Sequence, residues 1–253
     1  MKAEAELYAR GRSPMHDWDA RWKLVALGVL AFVSAAMDSV FAAGMALLFA
    51  LVLLGVARLP VKLIWRRLAV AQIILLPCLL ILPFSFGGER LSSGWWSVSV
   101  EGVRWAGLFY CRALAVLVLG LAVVYSTPMV VLLRALQSLR VPRVLVEIAL
   151  LTYRYLFTLA AELTRMRWAL LTRGFGARSA VQSYRPLANA VGVTLVRSVE
   201  RTERIQQAMI CRGFQGRLQT MQRFEAGVAD VAKALVCLGG AAALLWLERG
   251  QGR

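Results

Sequence analysis

Histidine and lysine are nearly missing: the 253 residues hold one histidine, His16, and four lysines. With a single histidine, no serine or cysteine nucleophile can be paired with a base and still leave a second histidine for other work. A Ser–His or Cys–His hydrolase is disfavoured at the outset. Lys233 is the only lysine after Lys62, and no G-x-x-x-x-G-K-[ST] run occurs, so the chain supplies no phosphate-binding loop of that type. The four cysteines (Cys78, Cys111, Cys211, Cys237) show no short spacing, and three of them lie in apolar runs. They read as small hydrophobes, not as a disulfide framework or a zinc site. Acidic residues are scarce too: 14 Asp+Glu stand against 30 Lys+Arg, a formal net charge of +16. What the chain has in excess is apolar surface. It is 59% hydrophobic, above the roughly 45–50% of soluble domains. Nucleic-acid binding normally accompanies a polar chain with a basic stripe. A basic and strongly apolar chain reads instead as a polytopic membrane protein.

The polar segment 1–23 lacks the apolar core and small-residue cleavage site of a signal peptide. Apolar runs follow at 24–37, 40–57, 68–86, 106–125 and 228–247. The last four reach the length of about 17–20 residues that a bilayer crossing needs. The first is short, and Asp38-Ser39 makes a tight turn, so 24–57 reads as a helical hairpin with a shallow tip. Pro77 and Pro83 fall inside the third run, where neighbours in a membrane bundle satisfy the freed carbonyls. Lys and Arg number five in 1–23 and four in 58–67, none in the Asp38-Ser39 turn, and two in 87–105, offset by Glu89 and Glu101. Positive charge stays inside, so the N-terminus is expected in the cytoplasm. Trp95-Trp96 fits an interfacial aromatic belt.

Between 126 and 227 stand 15 Arg, no Lys and five Glu. Ser126-Thr127-Pro128 predicts a helix start with proline at the first helical position, running to about Arg140, and Val141-Pro142 ends it. A second helix is expected from about Val144 to Arg173, and a third from about Leu187 to Arg212. The third carries Val191, Leu195, Ser198, Thr202, Ile205 and Met209 on one face. The expected fold is all-α: about five crossings plus three cytoplasmic amphipathic helices. The divisions are 1–23, a four-helix membrane region 24–125, the cytoplasmic helices 126–227, a last crossing 228–247 and a tail 248–253. Residues 144–161 are apolar enough to cross, at a cost set by Glu147 and Arg154. Arg112, inside the fourth crossing, requires an interior partner, another subunit or a snorkelling path to the helix end. His16, Asp17 and Asp19 offer three metal ligands in "HDWD", but a polar cluster beside the membrane explains them as well.

The second and third helices end alike, in "TRGF" (172–175) and "CRGF" (211–214). At the simplest, each is a helix stop: glycine takes the left-handed position after the helix, the phenylalanine folds back, and the arginine faces the negative end of the dipole. Together with "HDWDARWKLV" (16–25), "LLTYRYLFTLAAELTRMRWALLTRGF" (150–175) and "RSVERTERIQQAMICRGF" (197–214), these ends resemble the transmembrane T component of energy-coupling-factor ABC transporters, of the CbiQ cobalt type. The first stretch is similar to an Asp-x-Arg-x-Lys lead into the first helix, and the others to a pair of coupling helices that end in Ala-Arg-Gly. Thr172 and Cys211 depart from that alanine, while the arginine and glycine are kept.

The resemblance implies a subunit without catalysis, metal site or cofactor of its own, in the bacterial inner membrane. Two cytoplasmic ABC ATPases carrying ATP-Mg would each receive one arginine-glycine end. They would drive a separate membrane S component of the CbiM type, with a small accessory membrane subunit alongside. It implies docking through Arg173, Gly174, Phe175, Arg212, Gly213 and Phe214, with support from Tyr153, Arg154, Tyr155, Glu162 and Glu200. Nickel is the alternative substrate. A stand-alone secondary transporter or channel, or a membrane enzyme or scaffold that binds anionic lipid through the basic segment, are the readings from other classes.

Overall fold

Asp19 turns the chain into its first helix, its carboxylate accepting a hydrogen bond of 2.9 Å from the Arg21 backbone N–H. The polar "DWDARWK" stretch is therefore the cap and first turn of a helix, not a leader ahead of one. The computed structural model describes residue 11 and residues 13–85, 90–93, 96–174, 181–216 and 227–251. Its elements are α1 (Ala20–Ala36), α2 (Val40–Val56), α3 (Val61–Ser85), β1 (Arg90–Ser93), β2 (Trp96–Ser99), α4 (Val100–Ser126), α5 (Met129–Ser138), α6 (Arg143–Thr172), α7 (Val181–Cys211) and α8 (Val228–Gln251). The fold is α-helical, as expected. The strand pair is an addition, antiparallel with Arg90 opposite Ser99 and Ser93 opposite Trp96, in a stretch where the sequence carries only a loop signal. Trp95 of the expected aromatic belt lies outside the described residues.

The helices form two packing units, one from Pro142–Arg223 and the other from Lys2–Val141 with Phe224–Arg253. In the larger unit, α2 lies along α4, α3 packs on α4, and α1 packs on α8, α4 and α5. Apolar residues abound on every side, so hydrophobicity alone does not select the packed faces; small side chains do. Ala42, Ala46 and Ala50 recur every fourth residue of α2 and are fully buried. On α4, Ala115, Val118, Leu119 and Ala122 are buried as well. Small side chains let helices approach closely where lipid competes equally for the large ones. Large residues point outward instead: Phe32, Ile73 and Ile74 are more than two-thirds exposed, the faces that lipid would cover.

Length separates the helices further. Among the described residues, four helices are long and apolar enough to cross a membrane: α3, α4, α6 and α8. Helices α1 and α2 have 17 residues each, about 25 Å at 1.5 Å per residue, and make the short hairpin expected for 24–57. Pro77 and Pro83 both lie inside α3, which continues through them. Arg112 finds its partner at the surface, not in the interior: its guanidinium reaches the α1–α2 turn and donates to the exposed Asp38 at 2.9 Å. The backbone N–H of Asp38 in turn donates to Glu248 near the end of α8.

The smaller unit holds α6 and α7, which touch only along a short stretch. Two boundaries differ from expectation. Pro128 is the N-cap of α5 rather than its first helical residue, because α4 runs through to Ser126 and moves the start by one position. Helix α7 starts at Val181, ahead of the expected Leu187, with Pro186 inside it. A proline near the start of a helix forfeits little of the hydrogen-bond ladder, so it does not set the boundary.

Candidate functional site

Both arginine-glycine ends are built as helix terminators. At α7, the Gly213 N–H donates to the Ile210 carbonyl at 2.9 Å and the Phe214 N–H to Met209 at 3.0 Å, with Gly213 at φ +78°. That pair of bonds is the Schellman arrangement, which satisfies the last carbonyls of the helix. At α6, the Gly174 N–H donates to Leu171 at 3.0 Å, and Gly174 also has φ +78°. Phe175 lies outside the described residues. A Cβ on either glycine would meet nothing within 4 Å. Glycine is needed there for its backbone conformation, and the tip stays slim as a by-product.

The same geometry presents the arginines. Arg173 and Arg212 are the C-cap residues of their helices, both exposed. Phe214 is half-buried, as is Met209 one turn back. Each helix end thus offers a guanidinium on a rigid, narrow tip, suited to forked recognition of a carboxylate or phosphate.

Glu162 anchors the place where the two helices meet. It is buried on α6, and its carboxylate accepts from Arg201 of α7 at 2.8 Å, with Arg197 at 3.7 Å. Thr194 of α7 contacts the Met166 sulfur at 3.5 Å beside it. Beyond this crossing, an open groove of about 930 Å³ runs between α6 and α7. Met166, Ala169, Leu170, Ala190 and Val193 form its apolar lining, and Arg165, Arg173 and Arg197 supply positive charge.

The remaining expected residues divide. Tyr153 stacks edge-on with Phe157, ring centroids 5.4 Å apart, and Arg154 lies 5.9 Å from the Tyr155 ring centre. This triplet lies well away from the tip: Arg154 to Arg173 spans about 28 Å of helix. Glu200 is exposed and its side chain does not join the Glu162 cluster; its backbone carbonyl accepts from Arg204. Arg201 is the functional partner that the expected list lacks. Among the described residues no group of three His, Cys, Asp or Glu could hold a metal ion, so His16, Asp17 and Asp19 do not converge. Asp19 caps α1, and His16 Nδ1 pairs with the Ser13 hydroxyl at 2.6 Å.

This arrangement of short hairpin, long apolar helices and paired arginine tips can now be compared with known proteins. The family model for CbiQ, cobalt transport protein, matches residues 11–222. The chain belongs to the CbiQ family. The match includes both tips and the crossing. A cobalt transport protein CbiQ of Rhodobacter capsulatus is 35% identical over 96 residues, 38% of this chain and 39% of the relative. A CbiQ of Salmonella typhimurium is 31% identical over 129 residues, 51% and 57% of the two chains. An uncharacterized protein of Methanocaldococcus jannaschii is 26% identical over 154 residues, 61% of this chain. The chain spans about half the length of the curated relatives it matches, 53% of that archaeal one. Family and helices together make this a multi-pass membrane component of a transport system, of a family that is not catalytic.

Proposed function

We propose that this CbiQ-family chain is the energy-coupling subunit of an ECF-type importer in the bacterial inner membrane, with cobalt as the transported ion. Two cytoplasmic ATPases dock on the Arg173-Gly174 and Arg212-Gly213 ends, and their ATP-driven movement passes through α6 and α7 to a substrate-binding membrane S component. ATP and Mg²⁺ belong to those partners. The observation that carries the reading is the matched pair of tips: two helices end with the same backbone geometry and the same exposed charge, as two similar partners would require.

A guanidinium inserted against acidic partner groups leaves them unpaired when it is removed, costing roughly 2–5 kcal/mol of docking. With two tips, the loss of one leaves the assembly tethered by the other at high effective concentration. Arg173→Ala with Arg212→Ala is expected to release the ATPases, while either single change retains them and lowers cobalt uptake. Arg167→Ala and Arg204→Ala, exposed arginines of the same two helices, serve as controls. Copurification of ATPases and cobalt uptake, at matched membrane levels, decide the matter. A double variant that assembles and transports normally would reduce both motifs to helix stops. Uptake of nickel in place of cobalt would correct the substrate and leave the coupling role standing.

A further inference from the structure

Lys23 is the most deeply enclosed charged residue of the larger unit, with 1% of its surface exposed. Among the described residues no carboxylate pairs with its ammonium. Its donors go instead to the Thr127 hydroxyl at 3.0 Å, the Ser126 hydroxyl at 3.3 Å and the Ser126 carbonyl at 3.4 Å. Ser126 is the last residue of α4, so its carbonyl has no partner within the helix, and a cation suits the negative end of the helix dipole. A lysine of α1 thereby caps α4 from outside. Burial first, and then the nearby Lys233, lower its pKa against the opposing pull of Asp230, Asp17 and Asp19, to about 8 in all. A position that expensive to fill with an amine is not explained by packing alone.

The neighbouring contacts treat the start of α8 similarly. The buried Trp18 indole N–H donates to the Asp230 carbonyl at 3.1 Å, and the Lys233 ammonium donates to the Pro14 carbonyl at 3.0 Å. Asp230, itself buried, accepts from the Gly227 N–H at 3.1 Å. These places share one property of chain order. The backbone leaves the larger unit after Val141 and returns at Phe224. The departing limb is the end of α4 with α5, and the returning limb leads into the start of α8. Helix α1 packs on all three.

We propose that Lys23 is a positioning residue for energy coupling: with Trp18, it clasps the departing limb at Ser126-Thr127 and the returning limb at Asp230 to one helix, so that both limbs move α1 together. The proposal rests on the coupling role above. It assigns no contact with substrate or nucleotide to Lys23. Without the ammonium, a pull on either limb is taken up locally at the Ser126-Thr127-Pro128 junction and the transport cycle slips while ATP is still hydrolysed.

The test uses the complete complex with its ATPases and S component, reconstituted in liposomes, with Co²⁺ as the transported probe. Lys23→Met keeps the length of the side chain and removes the donors. It is expected to retain the ATPases and their ATP turnover while cobalt uptake per ATP falls at least about tenfold. Thr127→Val, which removes one partner and keeps the shape, and Trp18→Phe, which removes the indole donor but keeps an aromatic ring, should lower the ratio by a smaller factor. They decide the question if Lys23→Met fails to accumulate. Leu30→Ala, in the packed core of the same helix, is the stability control and should lower the melting temperature without changing uptake per ATP. Unchanged uptake per ATP in Lys23→Met, or in both milder variants, overturns the proposal. So does an equal loss in Leu30→Ala. A wild-type chain that retains no ATPase removes the coupling reading itself, an outcome distinct from normal coupling in an assembled Lys23→Met complex.

Discussion

At the scale of single residues, two of the buried charges, Glu162 and Lys23, are held in opposite ways. Glu162 sits between two guanidinium groups, whereas Lys23 has only neutral acceptors in hydrogen-bond reach. The second arrangement costs stability whenever the amine is charged. Lys23 stands on the polar side of the first apolar run, facing Asp17 and Asp19 from its own segment and Asp230 and Lys233 from α8. Its folded pKa of about 8 lies below the ordinary lysine value of 10.5. Between those two values the unfolded chain binds more protons than the folded one, so stability rises with pH across that window and the cost is fully present below it. The melting temperature in detergent is expected to climb between pH 8.5 and 10, a span inside that window. The Lys23→Met variant should lack the increment. Parallel pH profiles for the two proteins would show that Lys23 is not the titrating group.

Between elements, the crossing of α6 and α7 hangs on few contacts, so the Glu162 pair weighs heavily there. Arg201 is about one-third exposed and Arg197 more than half, so solvent screens part of the attraction. Glu162→Gln is expected to cost about 1–2 kcal/mol, read as a lower melting temperature in detergent. With Arg201→Met already present, the same change should cost less than half as much. Additive losses would mean that the ion pair does not hold the crossing. This pair also marks the limit of what the sequence discloses. The helix ends are legible, because Pro142, Gly174 and Gly213 each force a backbone state that a continuing helix does not accept. The packed face of α7 is not. Val191 and Leu195 sit on the apolar stripe yet are exposed, while Thr194, Ser198, Arg201, Ile205 and Met209 form the half-buried row. Apolar patterning does not distinguish a face turned to a neighbour from one awaiting lipid or a partner protein. With Arg197, Glu200, Arg201, Glu203 and Arg204 crowded together, spacing does not say which charge meets Glu162. The Arg90–Ser99 strand pair was hidden for a different reason: Trp96–Ser99 alternates, but over only four residues, and Arg90–Ser93 offers no matching alternation to pair with it.

For the whole molecule, the contacts of the larger unit fix the relative direction of its helices. At one end Lys23 meets Ser126 and Trp18 meets Asp230; at the other, Asp38 meets both Arg112 and Glu248. Helices α1 and α8 therefore run parallel, with α4 antiparallel to both, and the start of α1 and the end of α8 lie at opposite ends of the unit. The end of α4 and the start of α8 share an end, so the chain between them makes an even number of crossings. Among the described residues α6 satisfies the length and composition of a crossing and α7 does not. The expectation is therefore that neither crosses. The distribution of Lys and Arg makes the cytoplasm the expected side for the end of α4: 24 fall in 1–23, 58–67 and 126–227, against two in 87–105. Single cysteines at Gly11, Ser92, Tyr184 and Arg249, in a chain whose own four are replaced, test the whole arrangement with a membrane-impermeant thiol reagent. Ser92→Cys and Arg249→Cys are expected to label in intact cells, and Gly11→Cys and Tyr184→Cys only after permeabilisation. Labelling of Tyr184→Cys from outside would make α6 a crossing, and would remove the cytoplasmic ATPases' access to the Arg173 tip.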